Sequence, residues 1–248
     1  MSALEHVLVV VPARNEEARV GACLDSLATA VAALERAERS LPVTVVVVLD
    51  GCTDRTAEVV ARRPWAHARP VDLGVVGAVR RHGVQAGAAL LMSPGDGVGS
   101  ARPLPDRVWL AHTDADSRVP SDWLTGQVAL AERGFDLVLG SVEPEQAELS
   151  QQQWHRWQRA HRLVEGHGAV HGANLGVRLA CYEAVGGFAA LAVHEDIDLT
   201  SRLRRSGVRW VSTDLTRVRT SGRARGRVAG GFADYLSALE VAAVAPSQ

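Results

Sequence analysis

The chain has 248 residues, 47% of them apolar, and a formal net charge of −1. That composition supports a buried core and one α/β domain, and gives no global basic surface for nucleic acid or an anionic membrane. All 27 basic residues are arginine, so any phosphate contact must come from Arg, His, a metal ion or backbone amides.

In chain order, the continuous apolar run His6 to Val11 reads as a strand buried on both faces. Val20, Leu24, Leu27, Val31 and Leu34 recur at three and four residues, which predicts a helix within Glu16 to Arg39. Val43 to Leu49 is a second buried strand, Asp54 to Arg62 a helix, and Ala66 to Val71 a third strand. A small-residue helix from Val75 to Met92 follows, weakened by Gly83 and Gly87. Ser93 to Pro105 is rich in Gly and Pro and reads as a loop. Arg107 to Thr113 and Asp136 to Gly140 are strands flanking a helix from Pro120 to Arg133. This alternation predicts an α/β fold, an open and mostly parallel sheet with helices on both faces.

Beyond Val142 the pattern changes. Gln151 to Val164 reads as a polar helix carrying Trp154 and Trp157, whose spacing suits core packing ahead of the alternative, a stacking face for a sugar or lipid. Glycine, histidine and asparagine dominate as far as Gly176. Helices follow near Arg178 to Ala184 and Glu195 to Ser206, then an Arg/Gly/Ser loop from Arg217 to Arg227, and a closing helix within Val228 to Val244. No apolar stretch approaches the roughly 20 residues that span a bilayer, and no basic leader precedes the first strand, so a cytoplasmic protein is expected. Three isolated cysteines, Cys23, Cys52 and Cys181, give neither a zinc pair nor a disulfide framework.

Open α/β sheets bind ligands beyond the carboxyl ends of their strands. Four polar clusters fall at such places: Pro12-Ala-Arg-Asn-Glu16, Asp50-Gly-Cys-Thr-Asp54, His112-Thr-Asp-Ala-Asp116 and Gly172-Ala-Asn174. Singly, Asn15 and Asp54 read equally as caps and Asp50 as a turn residue. Asp114 and Asp116 put two carboxylates at a strand tip, where hard divalent cations take one or two carboxylates plus phosphate oxygens. Glu195, Asp196 and Asp198 open a helix, a place that suits acids on dipole grounds alone. His167 and His171 lie in a glycine-rich stretch that disfavours the helix a zinc pair would need, and are candidates for acceptor contact.

Taken together, these segments resemble the family 2 glycosyltransferases with the GT-A fold. The resemblance rests on Pro12 to Glu16, Asp50 to Thr56, Asp114 to Asp116, and Gly186-Gly-Phe188 ahead of Glu195-Asp196, in the family's order. It implies transfer of a sugar from a nucleotide-diphosphate sugar, a UDP-sugar by default, to an acceptor hydroxyl, with inversion. It implies one domain over 1–248, with a donor half (1–116) and an acceptor half (117–248), and Mg²⁺ or Mn²⁺ as cofactor. It also assigns roles. Pro12, Ala13, Arg14, Glu16 and Asp50 would line the base and ribose pocket, with Arg80 and Arg81 on nucleotide or phosphate. Asp114 would lie against the ribose, Asp116 would hold the metal, Asp196 would be the general base and Glu195 would orient it. Where many relatives supply a late histidine, this chain has Arg219, Arg223, Arg225 and Arg227, suggested to grip the diphosphate from a mobile loop. The implied partners are the donor and a small-molecule, glycan or lipid-linked acceptor, with room for a homodimer. A nucleotidyltransferase lacks support because no glycine-rich basic loop follows the first strand, and an oxidoreductase because no G-x-G-x-x-G does. A non-catalytic sugar- or nucleotide-binding module of the same fold stays open.

Overall fold

The computed structural model describes residues 3–37, 41–92, 103–223, 226 and 230–241. Seven strands form one sheet in the order β3-β2-β1-β4-β6-β5-β7. They are β1 (His6–Ala13), β2 (Val43–Asp50), β3 (Ala66–Val71), β4 (Val108–His112), β5 (Leu137–Pro144), β6 (Leu175–Arg178) and β7 (Trp210–Thr220). All pairings are parallel except those of β6, which runs antiparallel to both β4 and β5. The principal helices are α1 (Val20–Glu35), α2 (Thr56–Ala61), α3 (Val76–Met92), α4 (Trp123–Glu132), α5 (Gln151–Ala160), α6 (Leu179–Ala184), α7 (Glu195–Arg205) and α8 (Phe232–Val241).

The unbroken valine runs of β1 and β2 are explained by two cores. Val7, Val9, Val11, Val45 and Val47 enter one with the apolar faces of α1 and α4. Leu8, Val10, Val46 and Val48 enter the other with α3, α6 and α7. Side chains alternate across a strand, so only a strand covered on both faces can be apolar throughout. Gly83 and Gly87 do not interrupt α3 as their propensity suggests. A Cβ at either would stand 2.4 Å from Val10 or Leu8. The glycines let the helix lie against the sheet, and that packing outweighs the propensity cost of roughly 1 kcal/mol each.

Two strands depart from the sequence reading. β6 occupies the end of the Gly/His/Asn stretch and the start of the helix expected from Arg178, and its four residues carry too little periodicity to betray it. β7 covers Arg217 to Thr220, which were expected in a loop. Its buried positions include the polar residues Ser212, Thr213, Thr216 and Thr220, so no clean apolar alternation marks it. Arg225, Arg227 and the stretch 93–102 of the expected Gly/Pro loop lie outside the described residues. Among the described residues no helix is long and apolar enough to cross a membrane.

His112 ends β4 fully buried, edge-on to Phe188, with no partner among the described residues for either ring nitrogen. Burial first, and the Arg80 charge second, hold it uncharged well below the ordinary histidine range. Burial likewise lowers His6 and His171 to about 4. Such groups bind protons more weakly folded than unfolded, so acidification from the ordinary histidine pKa of about 6.5 towards 4 favours unfolding. His112→Leu should therefore be at least as stable as wild type at neutral pH. It should also lose less on acidification, by up to about 1.4 kcal/mol for each pH unit below the ordinary histidine pKa. Urea denaturation of both proteins across that range is the check, and a parallel pH dependence would refute it.

Candidate active site

The carboxyl ends of β1, β2 and β4, the first turns of α3 and α7, and the segment after β7 enclose one cleft of about 540 Å³. Two loops form its floor. Asn15 adopts a left-handed conformation (φ 53°) and its Oδ1 accepts from Thr53 N at 2.8 Å. Asp54 accepts from Thr56 N and Glu17 N, and the Thr56 hydroxyl accepts from Glu16 N at 2.7 Å. These groups tie the loops after β1 and β2 together, which leaves Asn15 and Asp54 as framework. Pro12, Ala13, Arg14 and Glu16 then face the cleft. Asp50 does both jobs considered for it: Oδ1 accepts from Leu73 N (2.7 Å) and Gly74 N (3.0 Å), while the residue lines the cleft 3.5 Å from the Arg14 guanidinium.

The two acids after β4 have different partners. Asp116 pairs through Oδ2 with Arg223 at 2.9 Å, and the same guanidinium holds both oxygens of buried Glu16 at 2.6 and 2.8 Å. Burial, then the neighbouring Asp114 charge, push the Asp116 carboxyl up to about 6, and Arg223 opposes them. Asp114 accepts from Arg80 Nη2 at 2.5 Å. Arg80 is 2% exposed, and its Nε donates to Glu195 at 3.1 Å. Burial raises the Glu195 carboxyl, with the Asp196 charge adding and Arg80 opposing. Gly172 packs on this guanidinium, where a Cβ would stand 2.6 Å from Nη2.

Asp196 faces the cleft with both oxygens pinned by backbone amides, Oδ2 by Gly172 N (2.6 Å) and Oδ1 by Ile197 N (2.8 Å). Asp198 turns away and makes a two-nitrogen ion pair with Arg202. The left-handed His194 (φ 62°) delivers the chain into α7 at this point.

Not every expected residue joins this group. Arg81 sends Nε to Phe188 O at 2.6 Å, bracing the Gly186-Gly187 turn, and does not line the cleft. Consecutive helical residues point about 100° apart, so only one of the pair can face inward. Arg219 lies on β7 beside Glu143 at 3.8 Å, outside the cleft. Of the arginines expected to act together in the tail, Arg223 reaches the cleft. Asn174 is buried framework, linking Trp123, Ser141 and Thr216. His167 turns to Thr213 O, and among the described residues no three His, Cys, Asp or Glu groups converge on a cation site. Sequence reasoning missed the far wall, made of His161, Phe232 and Tyr235 with Val193 and Ile197. Its available signal was the pair Phe232 and Tyr235, three apart in the closing helix.

The family model for glycosyl transferase family 2 matches residues 8–174. The sequence matches no curated protein. Among solved structures, S. aureus TarS 1-349 in complex with UDP-GlcNAc is similar with a TM-score of 0.63 at 16% identity, over 92% of this chain and 61% of that one. The mannosyltransferase PcManGT from Pyrobaculum calidifontis, in complex with GDP-Man and Mn²⁺, gives 0.59 at 21% identity over 91% and 59%. GalNAc-T7 with UDP, GalNAc and Mn²⁺ gives 0.62 at 12% over 93% and 45%. The chain thus spans about three-fifths of TarS 1-349. The fold shared with all three is the GT-A fold.

Proposed function

This chain belongs to glycosyl transferase family 2, and from that premise we propose that it moves a sugar from a nucleotide-diphosphate sugar to an acceptor hydroxyl. The observation that carries this reading is the polarity of one cleft. Asp50, Asp114, Asp116 and Arg223 lie with the β1, β2 and β4 strand ends, while the pinned carboxylate of Asp196 lies at the mouth of α7. The donor's base and ribose would sit against Pro12, Ala13, Arg14, Glu16 and Asp50, so the donor end is drawn from 1–116 with Arg223 added from the second half. UDP-sugars come first because TarS and GalNAc-T7 were solved with UDP or UDP-GlcNAc, and GDP-sugars second because PcManGT was solved with GDP-Man.

In this reading Asp196 accepts the proton of the acceptor hydroxyl. The acceptor oxygen bonds to the anomeric carbon as the bond from that carbon to the diphosphate oxygen breaks, and attack from the opposite face inverts the centre. Glu195, held by Arg80, keeps the mouth of α7 in place and does not compete for the proton. The donor set at Asp116, carboxylate oxygen alone, suits a hard cation such as Mg²⁺ or Mn²⁺. Two acids gathered around Arg223 support placing positive charge at this corner. A divalent cation bound there would neutralise charge on the departing diphosphate. Arg223 is near enough to that corner to turn from Asp116 to a phosphate oxygen when both arrive.

The test is calorimetric titration of UDP, GDP and dTDP with Mn²⁺ and with EDTA. Removing the cation should weaken nucleotide affinity by about tenfold or more, roughly 1.4 kcal/mol, and Asp116→Ala should produce the same loss with Mn²⁺ present. Equal affinities with and without the cation would remove the metal from the reading.

A further inference from the structure

The far wall of the cleft has a different chemistry from the donor end. Phe232 and Tyr235 stack with centroids 6.1 Å apart, and His171 sits edge-on to Phe232. Trp154 and Trp157 on α5 and His161 just past its end form a continuous stack, at 5.4 and 4.8 Å, and His161 meets Tyr235 edge-on. The wall is therefore held by aromatic packing between two helices. Large apolar groups on it remain wet, Ile197 at 46% and Tyr235 at 37% exposed.

Hydrogen-bonding capacity here is largely used up. His161 Nδ1 pairs with Trp157 O at 2.9 Å and Nε2 with the Tyr235 hydroxyl at 3.4 Å. Burial keeps His171 uncharged at neutral pH. Among the described residues, the charged groups that line the cleft come from the strand ends, α3, the mouth of α7 and Arg223, and α8 contributes none of them. A polyhydroxylated sugar leaving water for such a wall would exchange hydrated hydroxyls for carbon, at a cost of unmatched polar groups. An alkyl chain or hydrocarbon ring would gain from the same burial.

Building on the transferase reading, we propose that the wall of Phe232, Tyr235, Val193 and Ile197 is an acceptor subsite for an apolar group. The acceptor is then an alcohol borne on an alkyl or hydrocarbon ring scaffold, with its hydroxyl turned towards Asp196. The side chains that grip this scaffold set acceptor choice and make no contact with the donor.

Hexyl and methyl β-glucoside carry the same sugar hydroxyls and differ only in the alkyl group, so the pair isolates the wall. Calorimetric titration of the full chain should show hexyl glucoside binding about tenfold or more tighter than methyl glucoside. Tyr235→Ala on α8 and Ile197→Asn on α7 should each shrink that ratio several-fold. Both positions are solvent-exposed, and a circular dichroism melt checks each fold. Equal binding of the two glucosides by wild type, an unchanged ratio in both variants, or tighter binding of maltose than of hexyl glucoside would overturn the proposal. UDP, GDP and dTDP titrated separately report on the donor end. Failure of all three to bind would defeat the transferase reading while leaving the alkyl-chain comparison readable.

Discussion

Asp196→Asn is expected to fold as wild type does, to bind nucleotide and cation with similar affinity, and to lose about 10²-fold or more in kcat. The neutral amide keeps the size of the carboxylate but cannot take the acceptor proton. Its retained oxygen can still accept from Gly172 N, the shorter of the two backbone bonds at 2.6 Å. A base that acts chiefly in the transition state should alter turnover and leave donor binding nearly untouched. Asp198 is the control, since its carboxylate is committed to Arg202 one turn along α7 and faces away from the cleft. Asp198→Asn should cost only a few tenths of a kcal/mol of stability, the usual worth of an exposed i,i+4 pair, and little activity. Initial rates of both variants with one donor and acceptor, alongside UDP titrations, decide the matter. Near-normal turnover by Asp196→Asn, or a larger defect in Asp198→Asn, would assign the base elsewhere.

Three of the four polar clusters were legible because each ends a strand with an unmistakable apolar run. Apolar runs that stop at Pro12, Asp50 or Thr113 locate the strand tips, and the strand tips locate the cleft. Motif reading could not separate residues that face the cleft from those that hold it up. Asn15, Asp54 and Asn174 belong to the second kind, because their side-chain oxygens meet amides or an indole brought from 38, 37 and 51 residues away. Arg80 and Arg81 were indistinguishable as a pair, yet one turns inward and the other braces a turn. The strands β6 and β7 were illegible for a related reason. Their positions are paid for by pairing and by buried hydroxyls, not by an apolar alternation that a sequence displays. The aromatic wall escaped notice because His161, at the end of α5, and Tyr235, on α8, stand 74 residues apart and meet only through tertiary packing.

The largest stability effect is expected at Arg80. Its guanidinium bonds Asp114 on one side and Glu195 on the other, inside the protein and against Phe188. The two halves are unequal. The Asp114 side chain is 35% exposed, so water can replace much of what Arg80 gives it, and exposed pairs of this kind are worth at most about 1 kcal/mol. The Glu195 side chain is 8% exposed and would be left as a buried acid without its cation. Breaking a buried pair by removing one partner costs about 3–5 kcal/mol, so Arg80→Met should lose that much, nearly all of it through Glu195. The pH dependence gives the cause a signature. Burial already raises the Glu195 carboxyl, and Arg80 is the principal group lowering it. Without Arg80 the folded-state pKa rises further above the unfolded value of about 4.3. The folded protein then binds the proton more tightly, so the variant keeps its stability below the unfolded pKa and loses it as pH rises through the folded one. Relative to wild type, Arg80→Met should therefore be least impaired in acid and most impaired at neutral pH. Arg80→Lys restores one charge without the two-sided reach of a guanidinium, and should fall between them. Urea denaturation of the three proteins at acidic and neutral pH measures all of this. A loss below about 1 kcal/mol in Arg80→Met, or a loss independent of pH, would mean that Glu195 does not depend on Arg80 for its charge.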